Sequence, residues 1–226
     1  MGILDLIFPK SCLTCGKVGS YICSDCVSKV RLLKPACPYC EKSSIDGFTH
    51  TKCKKKFGLD GLISIWDYER VIRKSILALK YKYSTEVGKE LANIFVNYLR
   101  SQYAIYNILN TSTLVPIPLH WHRDNVRGFN QSIEIGKVVA GSLGIKFTPD
   151  LLIKKKSTDP QATLSVDARK RNLQGVFSVS PNIPISLYPS ILLFDDVFTT
   201  GSTLKECAKV LKRGGVQNVW GMTIAR

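Results

Sequence analysis

The sequence lacks any stretch that approaches the ~18–20 consecutive apolar residues of a membrane-spanning helix. Its first ten residues also lack a basic segment ahead of the short apolar run that ends at Pro9, so they are not typical of a secretion signal. From these two absences we expect no membrane span and a cytoplasmic protein. The cytoplasm disfavours disulfides, so the cysteines of the chain need another explanation.

Acidic residues are also scarce. The 226 residues include 17 Asp and Glu against 32 Lys and Arg, which gives a formal net charge of +15. A surplus of this size predicts attraction to polyanions such as nucleic acid, an anionic membrane or phosphorylated ligands. The alternative is a basic protein whose lysines are simply solvated, and charge alone does not separate the two.

Cysteine is nearly absent after residue 53, but seven of the eight cysteines lie in the first 60 residues. They form three C-x-x-C pairs followed by one H-x-x-C pair. Two residues between ligands let a tight knuckle direct both side chains at one metal ion, and eight N and S ligands fit two tetrahedral zinc sites. The predicted metal ligands are Cys12, Cys15, Cys23, Cys26, Cys37, Cys40, His50 and Cys53.

Two ligand partitions are open. Sequential pairing joins the first two pairs in one site and the last two in the other, whereas interleaved pairing joins the first pair to the third. We favour sequential pairing because two short hairpins close it; the alternative for His50 is an exposed loop histidine. Four protein ligands leave no open position, so the zinc is predicted to be structural and to supply the folding energy of a small module, residues 1–60.

Residues 61–226 alternate between strand and helix patterns. Leu62–Tyr68 is predicted to be a strand, and helical spacing of apolar residues follows from about Glu69 and again through Val87–Tyr98. Further strands are predicted at Leu114–Pro118, Leu151–Ile153, Val176–Val179 and Val216–Ile224. Such alternation predicts an α/β domain with a mostly parallel sheet and helices on both faces, with ligands bound beyond the carboxyl ends of the strands.

One segment of this domain combines several features of an anion site. Ile191–Phe194 is an apolar run typical of a buried strand, Asp195 and Asp196 follow it, and a helical pattern begins at Leu204. Hydroxyls and backbone N–H groups at a helix N-terminus favour a phosphate, and adjacent carboxylates accept hydrogen bonds from a vicinal diol. The segment therefore predicts a phosphosugar site built from Asp195, Asp196, Thr199, Thr200, Gly201, Ser202 and Thr203.

Phosphoribosyl pyrophosphate matches this site because it carries a 5′-phosphate, a ribose diol and a pyrophosphate. Mg²⁺ is expected on the pyrophosphate, with substrate oxygens as most of its ligands. Arginine holds phosphate oxygens bidentately, and a basic stretch with aromatic residues can bind single strands. The candidates for contacts to pyrophosphate or DNA are Arg123, Arg127, Lys80 and Arg169.

The segment ILLFDDVFTTGST resembles the ribose-phosphate motif of type I phosphoribosyltransferases. Together with the cysteine pairs, VPIPLH at Val115–His120 and RGFNQ at Arg127–Gln131, the chain is similar to the ComF family of ComFC-type competence proteins. The resemblance implies a zinc-ribbon-like module joined to a type I phosphoribosyltransferase-like domain. It also implies a role in natural transformation, in handling incoming single-stranded DNA, with other proteins of the competence machinery as further partners.

One position departs from the wider superfamily. Purine-salvage members carry a carboxylate three positions after the acidic pair as general base, and here that position is Thr199, a poor base at neutral pH. Catalytic residues are therefore not assigned. Three hypotheses follow: a competence protein that binds phosphoribosyl pyrophosphate and single-stranded DNA, a metabolic phosphoribosyltransferase with an amine or base acceptor, and a non-catalytic nucleotide-sensing scaffold.

Overall fold

The structure is a computed structural model that describes residues 9–82, 85–101, 108, 111–119, 130–156, 173 and 175–226. The described residues form the strands β1 Gly61–Trp66, β2 Thr113–Pro116, β3 Leu152–Lys154, β4 Phe177–Val179, β5 Ser190–Val197 and β6 Asn218–Ala225. They form the helices α1 Ser24–Val27, α2 Arg70–Lys82, α3 Thr85–Arg100, α4 Gln131–Leu143 and α5 Ser202–Arg213, with 3₁₀ turns at Ile45–Gly47, Thr51–Cys53 and Ile185–Leu187. No helix in these described ranges is long and apolar enough to cross a membrane.

Four of the strands form one parallel sheet in the order β1-β6-β5-β2, while β3 and β4 make a separate antiparallel pair. A parallel sheet is covered on both faces, which is why its strands are continuous apolar runs. In the central strand β5, Ile191–Phe194 are all buried. The prediction of a mostly parallel sheet is confirmed.

The two faces of the sheet carry different helices, and side chains alternate between them along each strand. Leu192 and Phe194 pack in a core with residues of α2, α3 and α4. Ile191 and Leu193 face the other way, into a core with Leu204, Cys207 and Leu211 of α5. Helices therefore cover both faces, as predicted from the sequence.

The helices that follow the neighbouring strands β2 and β5 pack on opposite faces of the sheet. Pro116 lies beside Phe194 in the register of the two strands, and Ile117 N–H donates to the Phe194 carbonyl at 2.9 Å. The chain after β2 leads to α4 on one face, and the chain after β5 leads to α5 on the other. A crevice opens where such connections diverge, and ligands of open α/β sheets bind there.

The N-terminal cysteine module packs directly on this domain. Ile22, Val27 and Val30 belong to the same apolar core as α2 and α3, so the module does not rely on a separate core of its own. The Glu90 carboxylate of α3 accepts hydrogen bonds from the Tyr21 N–H at 3.1 Å and the Ile22 N–H at 2.8 Å. The proposed boundary at residue 60 stays a prediction, and it falls in a tightly bonded segment rather than in a loose linker.

The bonding at that boundary is carried by Asp60. Its carboxylate accepts from Lys212 Nζ and the Val219 N–H, each at 2.8 Å. On the module side its carbonyl accepts from the Thr49 N–H at 2.8 Å. Asp60 therefore joins the module, the C-terminal turn of α5 and the start of β6 in one network.

Candidate functional site

The acidic pair lies inside β5, which ends at Val197, whereas the sequence predicted that the strand ends at Phe194. The strand continues because β6 still offers backbone partners: Asp195 pairs with Thr223 and Val197 with Ala225. Both carboxylates are half-buried at the carboxyl end of the sheet. Their backbone is therefore rigid, which fixes the direction in which the side chains leave the sheet.

Asp195 is held by a residue that is distant in sequence. Its Oδ1 accepts a hydrogen bond from Ser132 Oγ at 3.1 Å and another from the Asp196 N–H at 3.0 Å. Two donors on one oxygen fix the orientation of the carboxylate. The oriented carboxylate lies half-buried at the carboxyl end of β5, beside the first turn of α4, where it can accept from hydroxyl groups of a ligand.

Ser132 is placed by the N-terminal cap of α4. The Asn130 side chain accepts from the Ser132 N–H at 2.9 Å, and its Nδ2 donates to the Ile117 carbonyl at 3.0 Å. Asn130 thereby ties the chain after β2 to the first turn of α4 while satisfying a helix N–H that has no partner within the helix. The sequence singled out Asn130 and Gln131 only as part of RGFNQ and did not identify Ser132 as a site residue.

The turn after β5 is shaped by Gly201. Its φ of 67° lies in the left-handed region, and a Cβ at this position would lie 2.2 Å from the Phe198 ring. Only glycine fits both requirements without strain. Because Lys205 N–H donates to the Gly201 carbonyl at 2.9 Å, the helix begins at Ser202 rather than at the predicted Leu204. Ser202 and Thr203 therefore belong to the first turn of α5.

The first turn of α5 is electropositive. A helix N-terminus carries partial positive charge, which acidic side chains commonly neutralise, but this first turn contains none. Its cap residue is glycine, and the Ser202 N–H donates to Thr200 Oγ1 at 3.3 Å. Instead Lys205 lies there and donates to the Thr200 carbonyl at 2.8 Å. Thr200 Oγ1 lies 2.7 Å from Ser202 Oγ, so hydroxyls line the same turn. The arrangement suits an anion such as a phosphate.

The cysteine module brings its ligand atoms together in two groups of four. Cys12, Cys15, Cys23 and Cys26 form one group, and Cys37, Cys40, His50 and Cys53 form the other, with all ligand atoms of a group within 4.8 Å of one another. Cys15 Sγ lies 3.6 Å from Cys23 Sγ. A tetrahedral zinc site with Zn–S bonds of about 2.3 Å separates its sulfurs by roughly 3.8 Å, so the donor set fits. The grouping follows the sequential partition and not the interleaved one.

His50 is oriented as a metal ligand. Its Nδ1 lies 3.3 Å from Cys40 Sγ, and its Nε2 lies 3.1 Å from the Ser43 carbonyl oxygen. A proton on Nε2 would donate to that carbonyl and leave the Nδ1 lone pair free to bind a metal. Histidines that bind metals are commonly oriented in this way, by a hydrogen bond from the second ring nitrogen to a nearby oxygen. These contacts favour the ligand interpretation over that of an exposed loop histidine.

Burial and clustering shift the pKa values of several of these thiols. Burial opposes ionisation of Cys12, yet backbone N–H groups of Cys15, Cys23 and Thr14 outweigh it and lower the pKa of this thiol to about 6. Burial and the neighbouring thiols raise the pKa of Cys26 to about 12. In the second group burial and the thiols of Cys40 and Cys37 raise the pKa of Cys53 to about 11. A divalent zinc ion would supply the charge that lets the set coordinate as thiolates.

The structure does not describe the side chains of the candidate contacts to pyrophosphate or DNA. Arg123, Arg127 and Arg169 lie outside the described residues, and so does the side chain of Lys80, whose backbone belongs to α2. These four assignments stay predictions.

Comparison with known proteins agrees with the description of the cysteine module and finds relatives over most of the chain. The double zinc ribbon domain family matches residues 3–55. Competence protein F of Haemophilus influenzae is 28% identical over 210 residues, covering 90% of each chain. The DNA utilization protein YhgH of Salmonella typhi is 29% identical, covering 88% of this chain and 87% of that one. Competence protein ComFC of Bacillus subtilis is 23% identical, covering 96% and 84%.

A solved structure of the allosteric regulatory enzyme of purine biosynthesis is similar over 61% of this chain and 26% of its own, with 15% identity. Its TM-score of 0.40 is too low to assign the fold. From the cysteine groups, the family match and the sheet, the class is that of an N-terminal double zinc ribbon joined to a parallel α/β domain with helices on both faces. Within that class the chain is similar over most of its length to competence protein F, ComFC and YhgH, which confirms the resemblance to the ComF family.

Proposed function

We propose that this protein binds phosphoribosyl pyrophosphate with Mg²⁺ and handles single-stranded DNA in the cytoplasm, as part of DNA uptake or use. The observation that carries the proposal is the pairing of two features at one strand end. The Asp195 carboxylate, oriented by Ser132, lies at the end of β5, and the electropositive first turn of α5 follows within seven residues. The first feature suits a ribose diol and the second suits its 5′-phosphate.

In this proposal Asp195 and Asp196 accept hydrogen bonds from the ribose, and residues 199–203 hold the phosphate. Among the described residues, the groups of three or more metal-ligating side chains are the two cysteine groups, so the acidic pair alone does not make a protein-held Mg²⁺ site. Mg²⁺ prefers several waters and substrate phosphates to an all-protein cage, which fits a metal that arrives on the pyrophosphate. Arg123 and Arg127 remain the candidates for that end of the ligand.

Calorimetric titration with phosphoribosyl pyrophosphate and Mg²⁺ tests this half of the proposal. Replacing both carboxylates in Asp195→Asn/Asp196→Asn should raise the Kd at least about 10-fold, because hydrogen bonds to charged groups contribute about 1.5–3 kcal/mol each. Asp150→Asn, at an exposed carboxylate, is the control and should leave the Kd unchanged. Absence of saturable binding by the unmodified protein would refute the assignment.

Binding is proposed ahead of turnover because Thr199 is exposed and brings only a neutral hydroxyl to the position of a general base. Transfer to an amine that is already nucleophilic is the second candidate, since it needs no such base. Screening bases and amines for pyrophosphate release decides between them. A non-catalytic sensor would instead bind the ligand without turnover and change the affinity of a protein partner from the uptake machinery.

The DNA half of the proposal rests on a surface that we name the basic–aromatic cluster, formed by Tyr39, Lys55, Lys56, Phe57 and Arg213. Lys55 Nζ lies 5.2 Å from the Tyr39 ring centroid, and Lys56 Nζ and the Arg213 guanidinium lie 5.4 and 5.5 Å from that of Phe57. All three cations are exposed, whereas the rings are half-buried. Exposed cations beside aromatic rings are the elements with which proteins bind single strands.

Fluorescence anisotropy with a labelled single-stranded oligonucleotide, repeated across salt concentrations, tests this surface. Each phosphate contact contributes about 0.7 to the slope of log affinity against log salt, so Lys55→Ala/Lys56→Ala should reduce the slope by about 1.4. Lys29→Ala/Lys34→Ala removes the same charge from exposed lysines of the module outside the cluster and should change the slope less. Equal effects of the two pairs would indicate attraction to net charge rather than to this surface.

A further inference from the structure

Lys205 connects the turn that follows β5 with the second cysteine group. Its Nζ donates to the Thr200 carbonyl at 2.8 Å. The same ammonium lies 5.2 Å from the centroid of the Tyr39 ring and 5.3 Å from that of the Phe198 ring. A lysine in the first turn of a helix is disfavoured by the helix dipole, and these contacts help to hold the charge in place.

Tyr39 is itself fixed by the second cysteine group. It lies between Cys37 and Cys40, two of the four residues whose ligand atoms converge there. Its hydroxyl accepts from the Leu59 N–H at 2.9 Å, and a Cβ on Gly58 would lie only 2.3 Å from that oxygen. The ring therefore has little freedom to move while the knuckle keeps its shape.

The hydrogen bond from Lys205 to the Thr200 carbonyl sets the orientation of the Thr200–Gly201 peptide. The described residues include no cis peptide bond, so the Thr200 carbonyl and the Gly201 N–H point in opposite directions across their shared peptide. Holding the carbonyl against Lys205 turns the Gly201 N–H to the opposite side. The Phe198 ring lies against Gly201 and restricts the conformations that the turn can adopt.

We infer that Tyr39 and Lys205 are positioning residues. Through them the second zinc ribbon, which holds Cys37 to Cys53, keeps the turn of residues 199–203 in the conformation that binds phosphate. The inference rests on the proposed function, since it assumes that residues 199–203 receive a phosphate. Tyr39 acts on the turn through Lys205, and Lys205 acts through the orientation of the Thr200–Gly201 peptide. The metal module is thereby a part of the ligand site as well as a fold element.

A double-mutant cycle tests the connection. Tyr39→Leu removes the ring from Lys205 and should raise the Kd for phosphoribosyl pyrophosphate with Mg²⁺ about 5- to 10-fold, the range of a half-buried cation–π contact. Lys205→Met should raise it at least as much, and adding Tyr39→Leu to Lys205→Met should have almost no further effect. Additive effects would overturn the inference. Lys205→Arg keeps the cation and should retain most of the affinity.

Hydrogen–deuterium exchange in ligand-free protein separates this inference from the proposed function. Both Tyr39→Leu and Lys205→Met should accelerate exchange in the peptide that covers residues 198–204, with about two zinc ions per chain retained. Lys209→Met, one turn further along α5, removes a lysine outside the connection and should leave that exchange unchanged. Unaltered exchange in Tyr39→Leu would overturn the positioning role. If exchange changes as expected but the unmodified protein does not bind phosphoribosyl pyrophosphate, only the proposed ligand is refuted.

Discussion

The Gly201→Ala substitution examines the turn that defines the candidate site. At a φ of 67° an alanine costs about 1–2 kcal/mol relative to glycine, because its Cβ crowds the backbone. The added Cβ would also meet three atoms of the Phe198 ring at 2.2, 2.3 and 3.1 Å. Overpacking of a filled site costs typically about 1–3 kcal/mol. The expected loss in the free energy of unfolding is therefore about 2–5 kcal/mol.

Gly144→Ala is the matched control, because it separates backbone strain from overlap. Gly144 caps α4 with a φ of 70°, and a Cβ there meets nothing within 4 Å. Its expected cost is the backbone strain alone, about 1–2 kcal/mol. For a chain of this size 1 kcal/mol shifts Tm by about 2–4 °C, so scanning calorimetry should resolve the difference between the two variants. Gly201→Ala should also weaken phosphoribosyl pyrophosphate binding, and Gly144→Ala should not.

A second substitution identifies the contact responsible. In a Gly201→Ala background, Phe198→Leu shortens the side chain beneath the turn and should recover part of the lost stability, although the same change destabilises the unmodified protein. If Gly201→Ala is no more destabilising than Gly144→Ala, the turn does not rest on the Phe198 ring and our account of its geometry is wrong.

Three further outcomes follow from the contacts described above. Metal analysis should find about two zinc ions per chain, and Cys37→Ser/Cys40→Ser should lower the number to about one; protein purified without chelators that carries none would contradict the ligand sets. Ser132→Ala removes a donor from Asp195 and should weaken phosphoribosyl pyrophosphate binding several-fold in titration, while Ser132→Thr keeps the hydroxyl and most of the affinity. Glu90→Gln leaves either the Tyr21 or the Ile22 N–H of the first zinc ribbon, which holds Cys12 to Cys26, without an acceptor. It should lower the free energy of unfolding in urea by about 1–2 kcal/mol. Glu86→Gln breaks an exposed ion pair with Lys10 and removes a charge from the first turn of α3, and it should cost less than about 1 kcal/mol, so equal costs would show that Glu90 is not an anchor.

Local features of the chain could be predicted wherever neighbouring residues decide the outcome. A C-x-x-C pair forms a knuckle because two residues suffice to bring both sulfurs to one side, so the ligand types follow from spacing. The apolar run Ile191–Phe194 predicted a buried strand, and the structure contains it within β5. The two ends of this element were less predictable, because the strand continues as far as β6 supplies partners and α5 begins where Gly201 changes the direction of the backbone.

Contacts between distant segments could not be predicted from patterns. Ser132 and Asp195 are 63 residues apart and meet only because β2 and β5 are neighbours in the sheet. Glu90 was an unremarkable position in a helical pattern, yet it anchors the first ribbon 68 residues away from Ile22. That zinc supplies the folding energy of the cysteine module stays a prediction. The sequence patterns did not show that Ile22, Val27 and Val30 of the module join the core of the α/β domain.

The sequence by itself determined the kinds of chemistry present: eight zinc-type ligands in four pairs, an acidic pair beside a hydroxyl-rich glycine turn, and a large basic surplus. These depend on residue type and on spacings of a few residues, which local backbone geometry converts directly into structure. Only the tertiary structure decided which groups act together. The order of strands places Ser132 against Asp195, and the packing of the second ribbon on α5 places Tyr39 against Lys205. Such pairings arise from the burial of apolar faces across the whole chain, so no short segment encodes them.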